Sequence, residues 1–214
     1  MSCQFLALEL YRISWHFFCN RSHVSWHKPL GYQKSLDAHL GEDQEMKADR
    51  LPDAYFEKLS NDPVGLKPFD HESKRFAKVY GNKLDALLSQ FSVRAELFGS
   101  TDLEIDGKGE WEFGIWLDDN QWYPVLIMLI NHFGSIYTLS DDFTLFNDVS
   151  DSCDVEVIPM RGDAAERNQA IMKYWRNNPE AVMAYRAGKI AHAYSKREYF
   201  RWKNKHISDI VEAL

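Results

Sequence analysis

Cysteine is scarce in this chain of 214 residues: Cys3, Cys19 and Cys153 are all there are. An odd count without framework spacing excludes a disulfide-stapled fold and points to a reduced, cytoplasmic setting. No run of 18 uncharged apolar residues occurs, so no membrane span is expected. The apolar N-terminal stretch from Cys3 to Cys19 is interrupted by Glu9 and Arg12, which a secretory leader would not carry. Internal repeats and low-complexity tracts are missing. So is any excess of positive charge. The formal net charge is −7, which argues against broad electrostatic attachment to nucleic acid but leaves room for a local basic patch.

What is present is apolar and aromatic side chain in quantity, 45% and 14% of residues. That is enough for a sizeable core, in one domain with an extension or in two small domains. Residues 1–62 have no clear period and read as an N-terminal extension, with one short helix within Leu51–Leu59. Residues 63–162 read as an α+β core and 163–214 as a helical C-terminal subdomain.

Asp70 is placed to cap a helix in which Phe76, Tyr80, Leu84, Leu87, Leu88 and Phe91 recur at helical spacing. Val93–Phe98 reads as a strand, 99–109 as a Gly-rich turn, and Glu110–Leu117 as a second strand. Tyr123–Phe133, apolar on almost every side, reads as a buried helix with Pro124 in its first turn. Short strands are expected at Ser135–Leu139, Phe143–Val149 and Cys153–Met160. Helices are expected at about 164–177, 179–193 and 196–213, with Asn178-Pro179 marking one break. The order gives a mixed β-sheet with helices packed on it and a helical tail.

The most informative stretch is Gly99-Ser100-Thr101 followed by Glu110-Trp111-Glu112. A tight Gly-Ser turn offers backbone N–H groups to phosphate oxygens. Glu110 and Glu112 sit at i and i+2 on a strand, on one side and roughly 6.6 Å apart. Asp154 and Glu156 share a face of a later strand and could supply a third acid if the strands are neighbours. Clustered carboxylates repel one another unless a cation intervenes, and hard oxygen donors suit Mg²⁺ against a triphosphate. This pattern predicts Glu110, Glu112 and Glu156 as catalytic metal ligands, with Asp154 as an alternate. Gly99, Ser100 and Thr101 are predicted to bind phosphate and Lys108 to neutralise charge. The substrate would be a nucleoside triphosphate such as ATP.

These residues resemble the GrpB family of the nucleotidyltransferase-like superfamily. The resemblance is carried by Gly99-Ser100-Thr101 with Gly107-Lys108-Gly109-Glu110-Trp111-Glu112. It extends to the lead-in Leu66-Lys67-Pro68-Phe69-Asp70, to Asn177-Asn178-Pro179-Glu180-Ala181, and to Lys196-Arg197-Glu198-Tyr199-Phe200-Arg201 with Ile207–Val211. It covers about residues 63–214. It implies a nucleotidyltransferase fold with a helical tail and transfer of a nucleotidyl group to an unknown acceptor. Glu112 stands where the family has Asp more often, and Asp102, Glu104 and Asp106 crowd the turn with acids that would repel a triphosphate unless cations offset them. Both features keep a second reading in play, a catalytically inactive nucleotide-binding or protein-interaction module.

Other patterns point elsewhere with less force. Asp102-x-Glu104-x-Asp106-Gly107 mimics the start of a Ca²⁺ loop, but its twelfth position is Phe113. Cys19, His23 and His27, with His16, could form a zinc set of unfamiliar spacing. Arg161 and Arg167 could reach phosphate from a cleft rim. Lys196, Arg197, Arg201, Lys203 and Lys205 make the last helix basic, as a phosphate or RNA surface or, preferably, as the solvated side of a docked amphipathic helix. Trp175, Tyr185 and Tyr194 read as core residues between helices.

Overall fold

The computed structural model describes residues 50–150 and 153–214. The zinc set at His16, Cys19, His23 and His27 lies outside these residues, as does the body of the N-terminal extension. Among the described residues no helix is long and apolar enough to cross a membrane.

Five strands form one mixed sheet in the order β1-β2-β5-β4-β3. They are β1 (Ala95–Phe98), β2 (Trp111–Trp116), β3 (Thr138–Leu139), β4 (Thr144–Val149) and β5 (Asp154–Met160). Only β2 and β5 run parallel, and the other pairs are antiparallel. The helices are α1 (Asp53–Phe56), α2 (His71–Leu88), α3 (Gly99–Asp102), α4 (Asp119–Phe133), α5 (Gly162–Asn177), α6 (Pro179–His192) and α7 (Lys196–Ala213). A 3₁₀ turn, Ser89–Phe91, extends α2. The molecule is thus a mixed α+β fold.

The strands alternate as their sequences require. Trp111, Phe113, Ile115, Val155 and Val157 face α2 and α4 and close a core with Leu84, Leu88, Trp122, Val125 and Leu129. On the other face, Phe98, Ile158 and Met160 meet α5, α6 and α7 through Ile171, Trp175, Tyr185, Tyr199 and Ile207. The sheet is therefore covered on both sides. The face that carries Glu112 and Glu156 lies against helices, not against bulk water.

Asp70 caps α2 as expected, its carboxylate accepting from the N–H groups of Glu72 and Ser73. Three expectations need correction. The helix read as Tyr123–Phe133 begins at Asp119, because the Gln121 side chain accepts from the Asp118 N–H at 3.2 Å. Pro124 consequently lies inside it, beyond the first turn. Its missing N–H falls on the solvent side, where Tyr123 and Ile127 are exposed, so the helix is buried on one face only. The strand expected over Ser135–Leu139 shrinks to Thr138–Leu139. Tyr194, expected in the core, is 64% exposed.

Residues 50–62 are better packed than an extension without periodicity suggests. Phe56 and Leu59 are buried in the same core as α7. The Arg50 guanidinium pairs with Asp209 and Glu212 at the end of α7, and the Leu51 N–H donates to Asn204 Oδ1 at 3.1 Å.

Helices α6 and α7 meet through stacked rings. Trp175 lies on Tyr185 with centroids 4.7 Å apart, and Trp202 lies between His192 and His206 at 5.2 and 5.1 Å. The helices approach this closely because residue 188 has no side chain: a Cβ there would stand 1.9 Å from Trp202 Cζ2. Helix propensity alone would make Gly188→Ala stabilising by about 1 kcal/mol. The clash with a ring held on both sides outweighs that, and we expect a net loss of about 1–3 kcal/mol in urea unfolding.

His206 is part of the same stack, with Nε2 buried and without a hydrogen-bond partner. Burial lowers its pKa below the ordinary 6.5; Asp209 opposes this shift and Lys205 adds to it. The unfolded chain therefore binds the proton first. Stability falls as pH drops through about 6.5, and His206→Phe removes that part of the acid loss in melts at pH 7.5 and pH 5.5.

Candidate functional site

The candidate site forms where β1 ends. Gly99 has φ +71°, in the left-handed region open to glycine, and starts the single turn α3. The Leu103 N–H donates to the Gly99 carbonyl and the Ile105 N–H to the Ser100 carbonyl, each at 3.1 Å. Farther along, Lys67 and Gly107 exchange two backbone hydrogen bonds at 2.7 and 3.0 Å. Thr101 Oγ1 donates to the Glu110 carbonyl at 3.1 Å. The Thr101 hydroxyl is thereby engaged in fixing the turn to β2, whereas the Ser100 hydroxyl meets Lys189.

Strand register brings the acids together. Phe98 pairs with Glu112 across β1 and β2, and Glu112 pairs with Glu156 across β2 and β5. The Glu112 carboxylate packs directly over Gly99, where a Cβ would stand 1.8 Å from Oε2. Glu156 is 1% exposed. Asp154, the alternate, lies at the exposed start of β5 and pairs with Val149. Glu110 precedes β2 and forms an ion pair with Lys108 at 2.8 Å.

Of the cations that meet these acids, sequence reasoning named Lys108 and placed Lys203 on a basic helix but missed Lys189. Burial disfavours the charge on Lys108, but Glu110, Glu156 and Glu112 together hold its pKa above that of an ordinary lysine. Burial raises the Glu112 pKa, while Lys203 of α7, Lys108 and Lys189 of α6 pull it back. Lys189 is 2% exposed and donates to Ser100 Oγ and to the Asp106 carbonyl, each at 2.5 Å. Three ammonium groups thus share the interior with three carboxylates. Nothing in the sequence of α6, which also carries Glu180, Arg186 and His192, singled out Lys189 in advance.

The turn acids are offset in the same way. Glu104 pairs with Lys74, Asp102 with Arg176 and Asp106 with Arg186, each at 2.9 Å. Their carboxylates answer to α2, α5 and α6, and the calcium-loop pattern has its explanation there. Arg161 does not reach the site: it pairs with Asp119 at 2.9 Å and lies over the Trp122 ring. On α7, Arg197 and Arg201 pair with Glu57, and Lys205 pairs with Asp209. Buried Tyr199, Phe200, Ile207, Ile210 and Val211 dock that helix, with Leu214 exposed beyond them.

Ser100 lines two cavities. One, of about 60 Å³, is lined also by Glu112, Lys203, Trp175 and Tyr185. The other, of about 350 Å³, opens on the far side of the turn between Thr101, Lys67, Phe69 and Phe76. The second is within the range of small-molecule sites; the first has room for little more than a phosphate group.

The carboxylates have the donor chemistry for Mg²⁺, but among the described residues no group of three or more His, Cys, Asp or Glu is arranged to hold a metal ion. The Lys108–Glu110 pair is one physical reason, since it holds one of the three acids.

No family model matches the chain, and no curated protein matches it. The resemblance to GrpB therefore remains one of motifs. Among solved structures, the chain is similar to that of a cytoplasmic RNA terminal U-transferase at 12% identity, covering 60% of this chain and 39% of that one, with TM-score 0.38. It is also similar to the Cid1 poly(U) polymerase with Mg and 3′-dATP bound, at 9% identity, covering 60% and 41%, with TM-score 0.39. The chain spans about two fifths of the length of these structures. Similarities this distant bear on neither substrate nor reaction.

Gly99→Ala tests the packing of the turn against Glu112. Gly162, also at positive φ but with open space around its Cβ position, is the control. Gly162→Ala should cost about 1–2 kcal/mol from backbone strain alone. Gly99→Ala should cost roughly 2 kcal/mol more in the same denaturant assay, because it also displaces a buried carboxylate.

Proposed function

We propose that this crevice binds a nucleoside triphosphate, such as ATP, and transfers its nucleotidyl group to an acceptor hydroxyl. The observation that carries this reading is the register. It sets Glu112 beside Glu156 and lays the Glu112 carboxylate on the first residue of the Gly99–Thr101 turn. Acids from two strands and a phosphate-sized turn thus meet at one point.

In this reading the amides of Gly99, Ser100 and Thr101 and the Ser100 hydroxyl grip the terminal phosphates, and Lys108 and Lys203 offset their charge. The cavity of about 350 Å³ beside the turn has volume for a nucleoside. Glu110, Glu112 and Glu156, with Asp154 as alternate, would hold Mg²⁺ once Lys108 leaves Glu110. The ion would supply Lewis-acid stabilisation of the leaving pyrophosphate and acidify the acceptor hydroxyl. The turn acids do not oppose the triphosphate, because Lys74, Arg176 and Arg186 already offset them. A cytoplasmic setting, in which Cys153 stays a thiol, belongs to the same proposal.

A second reading rests on the interior lysines. Three ammonium groups already balance the three acids, so charge alone does not demand a divalent ion. A chain of this kind would bind nucleotide without turning it over.

Titration calorimetry of MgATP against wild type and Glu112→Gln, with a pyrophosphate-release assay, separates the two. We expect binding that needs Mg²⁺, weakened at least tenfold in Glu112→Gln, and release of pyrophosphate by wild type. Tight binding without release supports the second reading. No binding of ATP, GTP, CTP or UTP overturns both.

A further inference from the structure

Lys189 is buried near the turn, with 2% of its surface exposed, and it does not line either cavity that Ser100 faces. Its two hydrogen-bond partners are neutral oxygens: Ser100 Oγ and the Asp106 carbonyl. The carboxylate of Asp106 is turned to Arg186 instead, at 2.9 Å from its Nε. An ammonium placed so deep without a carboxylate against it is costly unless an anion comes near.

The donor count at Ser100 follows from this contact. A serine hydroxyl has one hydrogen to give and accepts through its lone pairs. Because Lys189 donates to Oγ, the hydroxyl hydrogen is left for another acceptor. Ser100 lines both cavities and Lys189 neither, so an acceptor for that hydrogen can be received from the cavity side.

We infer that Lys189 is the positioning residue of the turn: it directs the Ser100 hydroxyl at a phosphate oxygen and places positive charge behind it, so that the anionic end of the triphosphate is recognised through Ser100. This rests on the nucleotide reading above and adds the residue that makes the turn selective for an anion. Lys189 contacts neither the phosphate nor the acids; it acts through Ser100.

A pH dependence comes with the geometry. Burial lowers the Lys189 pKa to about 7. The charged groups that bear on it are Lys203 from α7, Glu112 from β2, and Lys108 and Asp106 from the loop; both lysines lower its pKa and both acids raise it. Arg186 is a further cation on its own helix. The amine is charged below about pH 7 and loses its proton above, so anion affinity should fall as pH rises through 7.

The test uses the full chain with inorganic pyrophosphate and with ATP, titrated from pH 6 to pH 8.5. The ligand's own titration is common to all variants and cancels in the comparison. We expect wild type to lose affinity across this range more steeply than Lys189→Arg, which keeps its charge throughout and stays within threefold of wild type at pH 6. Lys189→Met should bind at least tenfold more weakly at pH 6 and lose the excess pH dependence. Because Lys189 acts through Ser100, Ser100→Ala with Lys189→Met should lose no more than the larger single effect. If Lys189→Met does not fold, the Lys189→Arg profile decides.

Equal affinity and an equal pH profile in wild type, Lys189→Met and Lys189→Arg would overturn the inference while leaving nucleotide binding intact. Additive losses in the double variant would also overturn it. Absence of binding by wild type removes the nucleotide reading itself, and this inference with it.

Discussion

Two carboxylates, Glu112 and Glu156, are neighbours across a pair of parallel strands and face inward. Strands lie ~4.8 Å apart, and two unit charges at ~5 Å and an effective dielectric of ~20 repel by roughly 3 kcal/mol. That repulsion adds to the cost of taking each from water, so neither group would be tolerated there alone. What makes the pair possible is the arrival of ammonium groups from three separate parts of the chain: Lys108 from the loop, Lys189 from α6 and Lys203 from α7. The helical layer is therefore attached to the sheet by charge as well as by apolar area. The acid face is the inside of the molecule, since Phe98, Ile158 and Met160 on that face bury themselves against the same helices.

Local patterns in the sequence were enough for the elements. Alternation in Trp111-Glu112-Phe113-Gly114-Ile115 specifies a strand with one apolar face, and Asp70 and Asn178-Pro179 mark helix starts through backbone chemistry that acts over two or three residues. The pairing of β2 with β5 was legible as a possibility, because both strands present acids at alternate positions. The start of α4 was less so. Its register depends on the side chain of Gln121 reaching back to Asp118, and the conspicuous Pro124 pulls the reading toward a later start.

The site was legible in its acids and in Lys108, and illegible in the bases that come from the helices. Glu110, Glu112 and Glu156 belong to short periodic stretches whose geometry is local. Lys189 and Lys203 belong to helices far along the chain, and only the packing of α6 and α7 on the sheet brings them in. Lys74, Arg176 and Arg186 pair with Glu104, Asp102 and Asp106 over separations of 30, 74 and 80 residues. No periodicity encodes contacts of that kind. A charge inventory confined to the turn thus overstates its acidity.

Those pairings also change what an acidic turn means. Seven carboxylates lie in the Gly99–Glu112 segment and β5, and as bare charges they would exclude any polyphosphate. The turn acids pair with two arginines and a lysine, and the inner acids face ammonium groups, so the positions nearest Ser100 are left electrostatically close to neutral. Against a neutral background, a single added charge decides the sign of the field at the turn. Trp175 and Tyr185 line the cavity of about 60 Å³ beside Glu112 and Lys203, and next to apolar rings each charge is less screened than in water.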